Sequence, residues 1–429
     1  MANRVLKNAS WIVGCKIVQS IITFLIGMLT ARYLGPSNYG LISYASSVVA
    51  FALPIMQLGF NSTLVQEFIE KPEKEGKILG TCLTLNILSA IASIVGVTSF
   101  AYIANPDETE TVIVCFLYSL TLLFQAVEMT QYWFQAKLLS KYPSIVALIA
   151  YVVVAVYKIY ILVSGKSIRW FAVSHVIEVF VIAILLIVLF KKLSKQKLSF
   201  SWELGKQMFN RSKYYITSSI MVVIFQQTDR IMLKLMLDEA QTGYYSAAIT
   251  CIGITSFVFS AIIDSARPSI LESNVSSKDR FEKKTVVLFS VITALSLAQS
   301  IGMTLLSKPI ILIVYGEAFL PAAPVLSCAV WFVTFGYYGM VRNIWILAEG
   351  QQKYLWIINL CGAVMNVIVN LILIPLYGAV GAAVASVITQ FFTNFVLCFV
   401  IKPIRKCGYL ILKSFNPKNL VAFVKKRGF

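Results

Sequence analysis

The chain has 429 residues, of which 58% are hydrophobic and only 13% are charged, and its mean hydropathy is +0.79. An average soluble domain carries about 25% charged residues, so the composition excludes an ordinary water-soluble enzyme. Lys and Arg outnumber Asp and Glu by 37 to 19, which gives a formal net charge of +18. In a membrane protein such an excess more often reports orientation than binding to nucleic acid, so we expect no nucleic-acid partner.

Apolar segments of about 20 residues, the length that crosses a bilayer as a helix, recur along the whole chain. Only helices are predicted, because strand-type alternation is absent and lipid requires each segment to satisfy its own backbone groups. The sequence therefore predicts an all-α membrane protein with about 12 transmembrane helices. The predicted spans lie near residues 9–33, 40–65, 79–104, 111–135, 143–163, 169–190, 213–237, 243–268, 285–306, 322–346, 355–376 and 378–401.

The Lys and Arg residues between the predicted spans lie almost entirely on one side of the membrane. With an even number of spans, 27 of these cations fall on the side of the termini and 3 on the other. Loops rich in Lys and Arg resist translocation, so both termini are predicted to be cytoplasmic. Eight cysteines without a CxxC pair argue against a disulfide or zinc framework, and a single histidine excludes multi-histidine sites. No metal site is predicted.

A long basic segment divides the chain near its middle and predicts two six-helix halves. The predicted organisation is an N-terminal bundle over 1–190, a basic cytoplasmic linker over 191–212, a C-terminal bundle over 213–401 and a basic amphipathic cytoplasmic tail over 402–429. Such a tail fits a surface helix held to anionic lipid, or a partly disordered basic segment.

Short stretches of the first half recur in the second. The stretch YLGPSNYGLISYA, which starts at Tyr33, aligns with MLDEAQTGYYSAA, which starts at Met236, and the two share Leu, Gly, Ser and Ala in step. At a nearly equal offset, the set Trp133, Ala136, Lys141 and Tyr142 recurs as Trp345, Ala348, Lys353 and Tyr354. Six helices per half keep the repeats parallel, related by an axis along the membrane normal. Such halves enclose a central cavity, which is the architecture of a transporter.

The segment ARYLGPSNYG, residues 31–40, resembles a hallmark of Wzx-type polysaccharide flippases, and so does the stretch from Thr228 to Ala248. These flippases belong to the multidrug/oligosaccharidyl-lipid/polysaccharide exporter superfamily, and helix count, spacing and loop lengths extend the resemblance over nearly the whole chain. The resemblance implies alternating-access transfer of a polyprenyl-diphosphate-linked oligosaccharide from the cytoplasmic to the outer leaflet.

Further expectations follow from this resemblance. The pathway would build a surface polysaccharide such as O-antigen, lipopolysaccharide or capsule. The protein would be a multi-pass protein of the bacterial cytoplasmic (inner) membrane. Its partners would be the lipid-linked glycan, membrane lipids, and the polymerase and glycosyltransferases of the pathway.

Seven cations lie inside the predicted spans, where charge is costly and normally faces a cavity or a partner. A diphosphate needs such groups, because Arg binds phosphate oxygens in a fork and Lys acts as a mobile point charge. Lys16, Arg267 and Arg342 lie near cytoplasmic helix ends and are predicted to form an inward-facing diphosphate site. Arg230 is predicted to receive the head group towards the outer side, and Lys158 completes the substrate-binding set. The alternative is that cations near span ends snorkel to the interface.

Acidic residues inside the spans are the second anomaly, because an intramembrane acid can hold Na⁺ or carry a proton. The predicted ion-coupling residues are Asp229, Glu128, Asp264, Glu178 and His175. For the acids, a charge-balancing salt bridge within a bundle is the alternative. For His175, three residues before Glu178 on one helix face, the alternative is a plain interhelical hydrogen bond. Apart from a coupling Na⁺ or H⁺, no cofactor is predicted.

Two other transporters of the same superfamily stay as alternatives, a cation-coupled multidrug exporter and a lipid II flippase. The exporter would favour acidic and aromatic cavities, and related lipid II flippases usually carry two extra helices. An enzyme is not predicted, because even the longest outer loop, 307–321, is too short to hold an active site, and no phosphate-binding loop or nucleophile elbow occurs. The loop from Gln66 to Lys77 does not fit a major-facilitator sugar transporter.

Overall fold

The computed structural model describes residues 2–194 and 196–416, with side chains from residue 14 onward except those of Lys16 and Ile17. Within these ranges the secondary structure is helical, and no β-strand occurs. The prediction of an all-α membrane protein is confirmed.

The helices of the first half alternate long apolar segments with short connecting helices. They are α1 (Ala2–Met56), α2 (Leu64–Glu70), α3 (Glu75–Ala104), α4 (Thr109–Ser119), α5 (Thr121–Glu128), α6 (Gln131–Ala136), α7 (Lys141–Val163), α8 (Ile168–Leu193) and α9 (Trp202–Met236). The second half continues with α10 (Glu239–Gly253), α11 (Ser256–Ser276), α12 (Lys278–Leu305), α13 (Ser307–Tyr315), α14 (Ala322–Ala348), α15 (Leu355–Phe391), α16 (Leu397–Val400) and α17 (Arg405–Ser414).

Eight of the described helical stretches are long and apolar enough to cross a membrane, and the bent pair of α10 and α11 raises the number to nine. Two of these stretches contain a non-helical glycine, Gly35 in α1 and Gly378 in α15, which separates two predicted spans. With both breaks counted, the nine stretches correspond to eleven of the twelve predicted spans. The remaining predicted span, 213–237, lies in α9, which is not among the nine.

The internal repeat is visible in the backbone around Leu138 and around Gly350, the equivalent position in the second half. In both copies three successive backbone N–H groups form the same hydrogen bonds. The residue before this position donates to the carbonyl four residues earlier, and the residue at this position donates to the carbonyl three residues earlier. The residue after it donates to the carbonyl five residues earlier. Both positions have positive φ, +56° at Leu138 and +66° at Gly350. The two halves therefore end this helix with the same turn, although only the second copy has the residue that favours it.

The chain divides into two compact units, unit 1 up to Gln227 and unit 2 from Thr228 onward. This division lies inside α9, within the predicted C-terminal bundle. The predicted boundaries of the bundles, the linker and the tail stay predictions.

Part of the predicted linker packs against the start of α3 in unit 1. After α8 ends, Gly76 donates its backbone N–H to the Gln196 side chain at 2.9 Å and its carbonyl accepts the N–H of Ser199 at 3.3 Å. Glycine is required at this approach, because a Cβ on Gly80 would lie 2.5 Å from the Ser199 carbonyl oxygen. The segment is thus held by backbone contacts that leave no room for side chains.

Ion pairs also hold the start of α9 against α2 within unit 1. Arg211 donates to the buried carboxylate of Glu67 at 2.8 Å and to Glu70 at 3.1 Å, and Lys71 lies 2.8 Å from Glu67. A hydrogen bond from Gln66 and the Arg211 guanidinium lower the pKa of Glu70 below its ordinary value. At least part of the positive charge in this region therefore has acidic partners.

Two glycine substitutions in α3 test this packing. We expect Gly80→Ala to destabilise the protein by about 1–3 kcal/mol, because the added methyl group overlaps backbone atoms of the neighbouring segment. Gly96→Ala is the matched control, since nothing lies within 4 Å of a Cβ at Gly96. Thermal melting of the purified full-length protein in detergent measures both. Equal melting temperatures for the two variants would contradict the contact.

Candidate functional site

Asp229 of α9 is a carboxylate enclosed within unit 2, with 6% of its surface exposed. Its Oδ1 atom accepts hydrogen bonds from the side-chain amides of Asn366 at 3.0 Å and Asn370 at 2.6 Å. Its Oδ2 atom accepts hydrogen bonds from the hydroxyls of Ser386, at 2.6 Å, and Tyr245. Four donors therefore converge on one carboxylate. We call these five residues the Asp229 site.

The fold of α15 explains how one helix supplies three of these donors. Asn366 and Asn370 are four residues apart and so lie on one face of the helix. The break at Gly378 folds the rest of α15 back, so that Ser386 reaches the same carboxylate. The two arms pack closely, because a Cβ on Gly381 would lie 2.1 Å from the Leu373 carbonyl oxygen.

The Asp229 site has oxygen atoms suited to a cation. The Oδ1 atom of Asn370 is buried and has no hydrogen-bond partner in the described part of the chain. It is one of eleven such buried side-chain atoms in the described part of the chain, and it is the one that lies in the Asp229 site. Carboxylate, amide and hydroxyl oxygens are ligands that hard cations prefer. The residues present therefore fit a bound metal cation such as Na⁺.

Arg230 follows Asp229 on the same helix and is half-buried. Its Nε atom donates to the Ser246 hydroxyl of α10 at 3.1 Å, which fixes the direction of the guanidinium. Consecutive residues on a helix point about 100° apart, so the two side chains leave α9 in different directions. An acidic and a basic group thus lie next to each other in the chain, each held by its own partners.

A second group of ionisable residues lies in unit 1. His175 Nδ1 and Glu178 Oε2 of α8 are 3.9 Å apart, and both side chains are half-buried. Lys158 of α7, Glu128 of α5 and Tyr151 of α7 all interact electrostatically with Glu178. We call these five residues the Glu178 cluster.

Charge balance distinguishes the Glu178 cluster from a simple ion pair. The cluster contains two carboxyl groups and one ammonium group, so it has an excess negative charge unless a carboxyl group or His175 binds a proton. The ring of Tyr118 packs on His175 with centroids 4.9 Å apart. The sequence placed Lys158 with the substrate and the other three charged residues with the coupling ion, and the structure brings all four together.

Arg342 of α14 is enclosed, with 3% of its surface exposed. It donates to the Thr393 carbonyl at 2.9 Å and to the Asn343 side chain at 3.1 Å. Thr393 lies in a π-helical turn, Phe392–Val396, and such turns interrupt the regular helical hydrogen bonds. The guanidinium therefore supports this turn and does not face an open site.

The other predicted residues are more exposed or lie outside the described side chains. Arg267 and Asp264 are exposed on α11, three residues apart and next to Pro268. The side chain of Lys16 lies outside the described residues. Among the described contacts none joins Arg267 to Arg342, so the inward-facing site built from these residues stays a prediction.

Sequence reasoning missed the neutral members of both groups. Tyr245, Asn366, Asn370 and Ser386 complete the Asp229 site, and Tyr151 belongs to the Glu178 cluster. The asparagine pair had a detectable signal, because two amides four residues apart in an apolar span lie on one face. The serine and tyrosines had none, since hydroxyl-bearing residues are common in these spans.

The sequence matches the polysaccharide biosynthesis protein family over residues 5–273. It is 30% identical to an uncharacterized membrane protein of Methanocaldococcus jannaschii over 210 residues, which cover 47% of this chain and 40% of that protein. It is 28% identical to a probable low-salt glycan biosynthesis flippase of Haloferax volcanii over 200 residues, which cover 46% of this chain and 42% of that protein. The matches thus span less than half the length of either relative.

Solved transporters share the fold. The lipid II flippase MurJ in an inward closed conformation has a TM-score of 0.73 at 17% identity, with 97% of this chain and 93% of that chain covered. An inward-facing multidrug transporter of the MATE family has a TM-score of 0.71 at 12% identity, with 91% and 95% covered. These relatives are flippases and transporters, not enzymes. Because the family match covers more than half of the chain, this multi-pass membrane protein belongs to the polysaccharide biosynthesis protein family.

Proposed function

We propose that the protein is a flippase that moves a polyprenyl-diphosphate-linked oligosaccharide from the cytoplasmic to the outer leaflet by alternating access. Family membership supports a role in polysaccharide synthesis, and a glycan flippase is among the relatives. In this proposal the protein lies in the bacterial cytoplasmic (inner) membrane with both termini in the cytoplasm. It supplies a polymerase with repeat units for O-antigen or capsule that glycosyltransferases have assembled.

The observation that carries the proposal is that Asp229 and Arg230 are consecutive residues of α9, each held by its own partners. Asp229 is enclosed by donors and offers a cation site, whereas the neighbouring Arg230 can bind phosphate oxygens. A diphosphate is doubly anionic, and burying it in a bilayer requires compensating positive charge. Arg230 supplies that charge next to a group whose own charge depends on a bound cation.

The Asp229 site is the proposed Na⁺ site. Bound Na⁺ would neutralise the carboxylate. The amides of Asn366 and Asn370 can rotate to present their oxygens, and the hydroxyls of Ser386 and Tyr245 contribute oxygens without moving far. The Arg230 side chain, one residue away, then stands beside a neutral site instead of a negative one. Cation occupancy would in this way favour binding of the anionic head group at Arg230.

The Glu178 cluster is the proposed proton site, and it makes H⁺ the competing coupling ion. The nearby ammonium group of Lys158 disfavours a metal cation, whereas carboxyl groups and an imidazole are side chains that can carry a proton. In this proposal Lys16 and Arg267 also contact the diphosphate, and Asp264 is a further acidic group. Arg342 is left out of the head-group site, because its guanidinium is enclosed.

Replacing Arg230 tests the head-group site. Proteoliposomes should move a labelled polyprenyl-diphosphate oligosaccharide between leaflets, and Arg230→Gln should slow this movement by at least about tenfold, because charge-assisted hydrogen bonds contribute about 1.5–3 kcal/mol. Arg169→Gln is the matched control, since it removes the same charge from an exposed pair with Glu110. Movement by Arg230→Gln at the wild-type rate would exclude this residue from the site.

The same vesicles separate the alternative functions. A lipid-linked glycan flippase should move the oligosaccharide lipid faster than lipid II, and it should not accumulate cationic drugs. Preferential movement of lipid II would identify the protein as a lipid II flippase instead. Drug accumulation driven by a cation gradient would identify it as a multidrug exporter.

Two carboxylate variants, one at each proposed ion site, distinguish Na⁺ from H⁺ as the coupling ion. If Na⁺ drives transport, Asp229→Asn should abolish stimulation by a Na⁺ gradient, whereas Glu128→Gln should preserve it. If protons drive transport, Glu128→Gln should abolish stimulation by a pH gradient, whereas Asp229→Asn should preserve it. Asp279→Asn serves as control, because it removes a carboxylate from an exposed pair with Lys283. Wild-type transport that responds to neither gradient would contradict coupling at both sites.

A further inference from the structure

The helix α17 folds back against the end of the last span. Only residues 401–404 separate it from α16, and the ring of Phe399 packs on Tyr409 with centroids 5.9 Å apart. A Cβ on Gly408 would lie 2.9 Å from the Phe399 ring, so the two segments are in close contact. The chain therefore reverses direction as soon as it leaves the span.

Two contacts with α12 define the direction in which α17 runs. Lys406 forms an ion pair with Glu282, and the Ser290 hydroxyl donates to the Ser414 carbonyl at 2.8 Å. Each pair of contacts is eight residues apart in its own helix, which corresponds to about 12 Å along the axis. The two helices therefore run side by side in the same direction.

This direction leads into the apolar part of unit 2. Both residues belong to the candidate membrane span Lys278–Leu305, but Glu282 lies in its charged start, residues 278–284, and Ser290 lies in the apolar part that follows. Because α17 runs parallel to α12, its first turn lies beside the charged residues of α12 and its last turn lies beside the apolar residues of α12. The polar head-group layer is only roughly 5–8 Å thick on each side, so an advance of about 12 Å crosses it.

The chemistry of α17 differs between its faces. The inner face is buried against the neighbouring helices. The outer face exposes three large side chains, with exposed fractions of 53% for Tyr409, 47% for Leu412 and 52% for Phe415. Exposed basic residues, Lys402, Arg405 and Lys406, lie at the end where the helix begins, and one more, Lys413, lies in its last turn.

We propose that α17 is a re-entrant helix that inserts obliquely into one leaflet and binds anionic phospholipid. Leu412 and Phe415 contact acyl chains, Tyr409 lies at the level of the carbonyl esters, and Lys402 and Arg405 contact head-group phosphates. Each exposed apolar side chain gains by leaving water, and each cation gains by meeting an anionic surface.

The order of these residues along α17 favours lipid over a protein partner. Cations at the outer end, Tyr409 in the middle and Leu412 and Phe415 farther in follow the polarity profile of half a bilayer. Lys413 in the last turn departs from this order, and its long apolar stem lets the ammonium group extend back towards the head-group layer. A second copy of the chain or a soluble protein would require no such order. The neighbouring α12 and α16 belong to candidate membrane spans, so the outer face of α17 is continuous with surfaces that lipid covers.

Photocrosslinking of the full chain tests the insertion. A benzophenone amino acid is placed at Leu412 or, as matched control, at the buried Leu410, in vesicles of phosphatidylcholine mixed with phosphatidylglycerol. We expect lipid adducts at position 412 and intramolecular protein adducts at position 410. Absence of lipid adducts at position 412, or adducts to a second protein chain there, would overturn the proposal.

Retention of anionic lipid tests the head-group contact separately. Native mass spectrometry of the protein extracted from these vesicles counts bound phosphatidylglycerol. Near an anionic surface each basic residue is worth about 1 kcal/mol, so Lys402→Gln with Arg405→Gln should weaken retention at least roughly fivefold. Lys308→Gln in α13, a segment predicted to lie on the other membrane face, is the control and should change nothing. Equal retention by the double variant and the wild type would remove the anionic lipid from the proposal.

Discussion

The cost of placing charge in an apolar environment is the constraint on which the rest of the structure depends. A charged group inside a span is tolerated only when it is paired, hydrogen-bonded or open to water. Asp229 meets this condition with four donors, and Arg342 with a backbone carbonyl and an amide. Lys234 meets it with Glu239 at 2.9 Å. Charges that are satisfied in this way stabilise the helices that carry them and restrict which groups can serve a ligand.

The same constraint gives the two units different chemistry. The Asp229 site collects neutral oxygen and amide groups around one carboxylate, which suits a metal cation. The Glu178 cluster combines carboxylates with an ammonium group and an imidazole, which suits a proton. Both groups depend on helix breaks or turns that bring separate segments together, such as the reversal at Gly378.

Sequence reasoning predicted the features that depend on composition and period. The helical class follows from long apolar segments, and the repeat around Leu138 and Gly350 follows from matched residues at one offset. The positive φ of Leu138 was not predictable, because leucine does not favour left-handed backbone. Its conformation is imposed by the helix end that the two halves share, and only the structure reveals it.

The sites were predictable only in part, for a related reason. A charged residue inside a span is visible in the sequence, but its direction and its partners depend on tertiary packing. Arg342 and Arg230 look equivalent as intramembrane cations, yet one is enclosed and the other is half-buried beside Asp229. His175 and Glu178 were placed together by their spacing, whereas Lys158 joined them through a contact between α7 and α8. Neutral residues such as Asn370 become informative only when their unpaired atoms are located.

We propose that cation binding at Asp229 and diphosphate binding at Arg230 are linked, because the two groups are adjacent on α9. Linkage of this kind is reciprocal and typically changes affinity between about fivefold and 150-fold. The direct measurement is the affinity of the purified protein for a polyprenyl diphosphate without its glycan, determined with and without Na⁺ at constant ionic strength. We expect Na⁺ to tighten binding at least about fivefold in the wild type and to have no effect in Asp229→Asn. Equal wild-type affinity in the two buffers would contradict the link between the cation site and the head-group site.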